Sequence, residues 1–168
     1  MISPELLRRN SFFSCFSHAQ LDELALAADD LHVDAEHRFF VEGEPLTHFF
    51  LLQEGSVALT IKVPDRNVRQ TVAMHVMGDF ITREIAVGNL GKHDVFGWSA
   101  LIPPNESTSG SQALVPCHVI SFDTRQLRPA MQKDCGFRQL LTLKAAQILR
   151  ERLRMRRIES LVDDVSYV

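Results

Sequence analysis

Histidine is the residue type in this sequence best suited to binding a metal ion, and the chain contains seven of them. His32, Asp34 and His37 lie close together, but their spacing, H-x-D-x-x-H, matches no standard zinc pattern. We interpret the segment as the end of a strand and a turn with its polar side chains at the surface. The sequence therefore predicts no metal site.

Nucleophilic chemistry is not indicated either. The three cysteines, Cys15, Cys117 and Cys135, form no C-x-x-C pair, and an odd number is typical of free thiols in a reducing compartment. Serine, histidine and aspartate are plentiful, but no G-x-S-x-G motif is present. We predict a cytoplasmic protein that is not an enzyme.

The composition excludes two classes of binding partner. Lys and Arg total 18 against 21 Asp and Glu, so the net charge of −3 provides no overall positive field for nucleic acid or an anionic membrane. No apolar run approaches the roughly 20 residues of a transmembrane helix, and the charged start of the chain argues against a signal peptide. With 168 residues, 45% of them hydrophobic, we expect one globular domain.

The elements that must position any site change in kind along the chain. Residues 1–30 predict short helices, the second ending near Asp29, with Ser17 and Gln20 at the spacing of a capping box. Residues 31–122 alternate short apolar segments with Gly, Pro and Asp, which predicts an antiparallel β-sandwich or barrel. Strands are predicted at 39–41, 49–52, 57–63, 71–76, 81–87, 113–115 and 118–122, with a hydroxyl-rich loop at 105–112. Residues 124–165 predict helices, the first of them capped by Asp123 or Thr124 and reaching about Lys133.

The last thirty residues carry the most regular pattern. Apolar residues fall at every seventh position, Leu149 and Leu153 widen the stripe, and a helix of about 40 Å would leave part of it uncovered. A second copy of the helix is the simplest cover, so we predict a homodimer. The alternative is that the stripe packs on the chain's own β-domain. The predicted interface residues are Leu141, Ile148, Met155, Ile158 and Val162.

Three segments in sequence order resemble one known family. The stretch 37–59, HRFFVEGEPLTHFFLLQEGSVAL, resembles the opening strands of cyclic-nucleotide-binding domains, and 93–104, HDVFGWSALIPP, resembles their phosphate-binding cassette. ILRERLRMRRIESL, from Ile148, is similar to the dimerising helix of the catabolite-activator-like bacterial branch, Crp/Fnr. The resemblance covers about residues 5–162. It implies an α+β fold: an antiparallel β-roll, or jelly roll, with short N-terminal helices and a long C-terminal helix.

The resemblance also implies a ligand site in a cassette at 96–109. A helix beginning after Gly97 would present unpaired amides to an anion, and a glycine permits close approach of the backbone. The residues implied are Phe96, Gly97, Trp98, Ser99, Ala100, Leu101, Ser107, Thr108 and Ser109, with Arg152 on the C-terminal helix.

The cassette departs from the family pattern at two places. Trp98 stands where a glutamate would accept from the ribose hydroxyl, and residues 106–109 read Glu-Ser-Thr-Ser where the family has an arginine before Ser/Thr–Ala. Thr108 can still supply the hydroxyl. Loss of the arginine alone should weaken binding about 10- to 150-fold. Trp98 either closes the site against an aromatic or apolar ligand or fills the space that the nucleotide would take.

Two interpretations of the arginines between Arg150 and Arg157 stay open. Arg152 lies nearest the level at which the family's helix contacts the base, so it could replace the missing cassette arginine. The alternative is that these arginines flank a coiled-coil seam.

About ten residues follow Glu159, too few for a recognition helix, so we expect no direct DNA binding.

The resemblance predicts a regulatory sensor for a small ligand, namely weakly bound cyclic AMP or cyclic GMP, or another small anionic or aromatic molecule, with an unidentified regulatory protein as a further candidate partner. The alternative is a degenerate, dimeric protein-interaction module that binds no small molecule. Haem-binding relatives make His75, His93 and His118 candidate axial ligands, although we interpret them as partly buried structural histidines.

Overall fold

The structure is a computed structural model that describes residues 2–65 and 81–165, except for the side chains of 156 and 159–165. The chain divides into two compact units. Residues 29–122 form a β unit, and the two ends of the chain, 1–28 and 123–168, form a helical unit.

The β unit consists of two four-stranded sheets whose assigned strand pairs are antiparallel. Their orders are β1-β8-β3-β6 and β2-β7-β4-β5, which confirms the predicted fold class. The strands are β1 (Ala28–Val33), β2 (Arg38–Phe40), β3 (His48–Glu54), β4 (Val57–Pro64), β5 (Thr82–Leu90), β6 (Val95–Phe96), β7 (Gly110–Ala113) and β8 (Cys117–Asp123).

Aromatic side chains fill the core of this unit beside the short strand β6. Phe96 is fully buried, and its ring stacks on Phe50 with 5.0 Å between centroids and meets Phe39 edge-on at 5.1 Å. Offset and edge-to-face contacts of this kind add stabilisation beyond burial of apolar area. The end of β6 is therefore held firmly against β3.

The helical unit contains α1 (Pro4–Arg8), α2 (His18–Leu26), α3 (Thr124–Lys133) and α4 (Cys135–Val165). The predicted capping box of α2 is present, with the Gln20 amide donating to Ser17 Oγ and the Ser17 amide donating to Gln20 Oε1. Asp123 caps α3 by accepting from the Arg125 amide at 2.8 Å. The ring of Phe16 meets Phe137 edge-on at 5.9 Å.

Two predicted boundaries were wrong. The α2 helix ends at Leu26, and residues 28–33 form an edge strand that begins within the stretch predicted as helix. The strand predicted at 113–115 is instead Gly110–Ala113: Ser111 is buried in the sheet, while Leu114 and Val115 are exposed. The apolar character of those two residues was misleading. The strand predicted at 71–76 lies outside the described residues.

No helix among the described residues is both long enough and apolar enough to span a membrane.

Candidate functional site

The centre of the predicted cassette is the turn at Gly97, between β6 and a 3-10 helix over Trp98–Leu101. Gly97 has a φ of 72°, in the left-handed region that favours glycine. A Cβ at this position would lie 3.0 Å from the carbonyl oxygen of His48 and 3.3 Å from Phe49 Cα. Glycine is therefore required twice, once by backbone conformation and once by the close approach to β3.

The short helix after Gly97 is anchored by its second half. Ala100 and Leu101 are buried, whereas Trp98 and Ser99 are half-buried. The Ala100 amide donates to the Gly97 carbonyl at 3.0 Å. The amides that begin such a helix have no partner within it, so they are the groups that a ligand could engage.

A second loop, residues 105–109, is tied to this helix. Asn105 Nδ2 donates to the Ala100 carbonyl at 2.8 Å, while the Asn105 carbonyl accepts from the Leu46 amide at 2.7 Å. The structure thus brings together the two predicted parts of the cassette, both within the β unit. No sequence motif marks Asn105 as part of the site, although its left-handed φ of 63° is one that Asn tolerates better than most residues.

Ser107 and Thr108 play different parts in that loop. Ser107 is buried, its backbone exchanges hydrogen bonds with Gly43 and Glu44 at 2.8 and 2.9 Å, and its hydroxyl donates to the Ser109 carbonyl. Thr108 is exposed. Ser107 therefore holds the loop in place, and Thr108 offers the more accessible hydroxyl. The turn at Gly43 and Glu44 therefore positions this loop.

The cassette is poor in charge. Residues 96–109 contain no lysine, arginine or histidine, and their one acidic residue, Glu106, is exposed. The polar groups available to a ligand are backbone amides and hydroxyls. Such a set can donate hydrogen bonds to a polar or anionic group, but it cannot neutralise a phosphate as an arginine does.

The remaining predicted residues lie on α4, in the helical unit. Arg152 is half-buried, and its part in a ligand site stays a prediction. Leu141 is fully buried within the chain, so its side chain is not available to a partner. Ile148 is half-buried, and Met155 and Ile158 are 51% and 47% exposed. Val162 lies in α4, but its side chain is outside the described set.

Comparison with known proteins agrees with this geometry. The family model for the cyclic nucleotide-binding domain matches residues 30–134. A comparison with curated protein sequences finds no match.

Solved structures show the same fold. A candidate cyclic nucleotide-binding protein from Geobacter metallireducens is 26% identical, with a TM-score of 0.73 over 91% of this chain and 99% of that one. A cyclic nucleotide-binding domain from Methylobacillus flagellatus is 14% identical, with a TM-score of 0.71 over 95% and 80%. The regulatory domain of PKA from Toxoplasma gondii, solved with cAMP, is 18% identical, with a TM-score of 0.64 over 86% and 48%.

The family model covers more than half of the chain, and the glycine turn, 3-10 helix and hydroxyl loop lie where the cassette was expected. The chain therefore belongs to the cyclic nucleotide-binding domain family.

Proposed function

We propose that this protein is a regulatory sensor that binds a small ligand at the cassette, against residues 96–101 and 107–109. The observation that supports this most is the Gly97 turn, because its left-handed conformation and its contact with β3 keep the cassette backbone in a fixed position. A fixed set of amides can bind a ligand without first being ordered.

The side chains of the cassette set the ligand class. Without a basic residue, cyclic AMP or cyclic GMP should bind about 10- to 150-fold more weakly than to a cassette that has its arginine. Trp98 instead offers an indole face on which an aromatic group can stack. We therefore propose two kinds of ligand. One is a cyclic nucleotide that binds weakly, and the other is a different small anionic or aromatic molecule.

We further propose that the sensor is a cytoplasmic homodimer joined through α4. Met155 and Ile158 are exposed apolar residues on this helix, as are Leu149 and Leu153. Apolar residues at such spacing on one long helix are typical of a surface covered by a second helix. The buried Leu141 belongs to the core, so the interface rests on the part of the helix after Ile148.

A different function is favoured by one observation. Trp98, a residue of the predicted ligand site, is only half-exposed, and no basic side chain accompanies it in the cassette. If the indole fills the site, the protein is a degenerate dimeric module whose partner is another protein.

The chain contains its own probe for this question, because Trp98 is its only tryptophan. We would titrate the protein with cyclic AMP and with cyclic GMP, up to millimolar concentration, and record tryptophan emission together with heat by calorimetry. A sensor should show a saturable change in emission that coincides with the heat. Gly97→Ala should abolish both, while Gly91→Ala, a glycine with no atom within 4 Å of an added Cβ, should leave both unchanged.

A flat emission titration, no heat, no thermal shift and no co-purified small molecule by native mass spectrometry would contradict the sensor proposal. Those results together would favour the protein-interaction module.

A further inference from the structure

A second cluster of chemistry-bearing side chains lies away from the cassette residues, on the sheet of β1 and β8. Asp30 and His32 are two residues apart on β1, so they lie on the same face of that strand. His118 lies on β8, the hydrogen-bonded neighbour of β1. One ligand atom from each of these three residues lies within 4.8 Å of the other two.

The three side chains contact one another directly. His118 Nε2 lies 2.5 Å from Asp30 Oδ1, and the rings of His32 and His118 stack with 4.2 Å between centroids and only 9° between planes. The side chains of Asp30 and His118 are 49% and 28% exposed. An ion from solution can therefore reach them without opening the core.

We propose that Asp30, His32 and His118 form a binding site for a divalent transition metal ion of the Zn²⁺ class. Two imidazole nitrogens and one carboxylate oxygen are a donor set that Zn²⁺ accepts, with a fourth position left for water. Ca²⁺ and Mg²⁺ require more oxygen donors than this cluster provides.

Binding of Zn²⁺ would require the three donor atoms to move. Donor atoms around a tetrahedral Zn²⁺ are about 3.4 Å apart, since each bond is about 2.0–2.1 Å long. His118 Nε2 and Asp30 Oδ1, now 2.5 Å apart, must therefore separate by roughly 1 Å, while a pair of ligand atoms near the 4.8 Å limit must approach by more than about 1 Å. The stacked, nearly parallel rings must also rotate until both nitrogens face one ion. Surface side chains can make such rotations, and the His118–Asp30 contact would be exchanged for bonds to the metal.

No local sequence pattern predicts this site, because its ligands come from two segments that are far apart along the chain. Asp30 and His118 are separated by 88 residues. The local histidine pattern consists of His32, Asp34 and His37, and its spacing matches no zinc site, so the sequence predicts no metal site. Only the pairing of β1 with β8 brings the donors together.

The test uses tag-free protein freed of metal by a chelator. Calorimetry with ZnCl₂ should give one ion per chain, and Co²⁺ should give the visible absorption band of a tetrahedral site. His118→Ala and His32→Ala should each weaken binding by more than about tenfold. His37→Gln is the matched control, because it removes an exposed histidine from the same region while leaving all three donors in place.

Three results would overturn the proposal. They are the absence of both heat and a Co²⁺ band with the wild-type protein, equal binding by wild type and His118→Ala, and a loss of binding in His37→Gln equal to that in His32→Ala. Asp30→Asn supplies a conservative variant in case an alanine variant misfolds, and it should also weaken Zn²⁺ binding. A MgCl₂ titration should remain flat, and binding of Mg²⁺ as tight as that of Zn²⁺ would count against the assigned donor set.

Discussion

The side chain of Gln20 is hydrogen-bonded to the carboxylate of Asp134, with Gln20 Nε2 donating to Asp134 Oδ2 at 2.8 Å. The other end of the same amide accepts from Ser17 in the capping box of α2. Asp134 in turn accepts from the Phe137 amide at 3.0 Å, which caps the start of α4. One glutamine and one aspartate therefore link the beginnings of two helices in the helical unit.

This link predicts a pH dependence of stability. The hydrogen bond from Gln20, followed by that from the Phe137 amide, lowers the pKa of Asp134 below its ordinary value of 3.8. A carboxylate with a lowered folded-state pKa contributes stability above its unfolded pKa, and this contribution is lost as the pH falls through the folded pKa. In Asp134→Asn, the drop in melting temperature between pH 7 and pH 3 should be smaller than in wild type. Asp22 is an exposed acidic residue on α2, and Asp22→Asn should show the same drop in melting temperature as wild type. An equal effect of the two variants would contradict a stabilising role for the Gln20–Asp134 hydrogen bond.

The geometry of the glycines predicts that three glycine-to-alanine variants differ in their free energy of unfolding. Gly97→Ala should destabilise the protein by about 1–3 kcal/mol in urea denaturation, because the alanine meets both left-handed strain and the His48 carbonyl. Gly43 has a φ of 83° but open space around an added Cβ. Gly43→Ala should therefore lose less stability than Gly97→Ala, because it adds backbone strain without a steric clash. Gly91→Ala should stay within about 0.5 kcal/mol of wild type. A Gly97 variant as stable as the Gly91 variant would show that the turn is not held as described.

The dimer proposal predicts the effect of charge on α4. Met155→Glu and Ile158→Glu should each convert a dimer to a monomer in light scattering, because a carboxylate would be buried without a partner in the interface. Leu114→Glu places the same charge at an equally exposed apolar residue of the β unit and should leave the dimer intact. A wild-type protein that is monomeric at high concentration would refute the proposal directly.

The ligand proposal predicts opposite effects for two cassette variants. Trp98→Glu restores the acceptor expected from the family resemblance and should strengthen cyclic AMP binding by about tenfold in calorimetry, as a hydrogen bond to a charged group does. Thr108→Ala removes an exposed hydroxyl and should weaken binding by about two- to tenfold. If Trp98→Glu binds no better than wild type, the indole is not what limits nucleotide affinity.

Much of the fold could be predicted because its signals are local. The Ser17–Gln20 capping box, the alternation of β4 and the long apolar period of α4 each lie within one element. The two wrong boundaries, at 28–33 and at 110–113, have a common cause, since both strands form by pairing with strands that are distant in the sequence. Ser111 is buried by its sheet, and β1 is an exposed edge paired with β8. Asp30 and His118 became neighbours through that same pairing.

Resemblance to the family predicts the candidate site, and hydrophobic periodicity does not. Nothing local distinguishes Gly97 from the other glycines, and its role depends on contact with the His48 carbonyl, about fifty residues earlier. The links from Asn105 to Ala100 and from Ser107 to Gly43 likewise join separate segments. A sequence pattern shows the residues of such a loop but not the hydrogen bonds that fix it.

The charge-poor cassette has a consequence for how this protein can change over time. Where a ligand is held by main-chain amides, substitutions at the rim, such as those at Trp98, Glu106 and Thr108, alter which molecule is preferred without dismantling the support beneath. The backbone turn and the ligand preference can thus evolve independently, so that related proteins with the same turn can bind different small molecules.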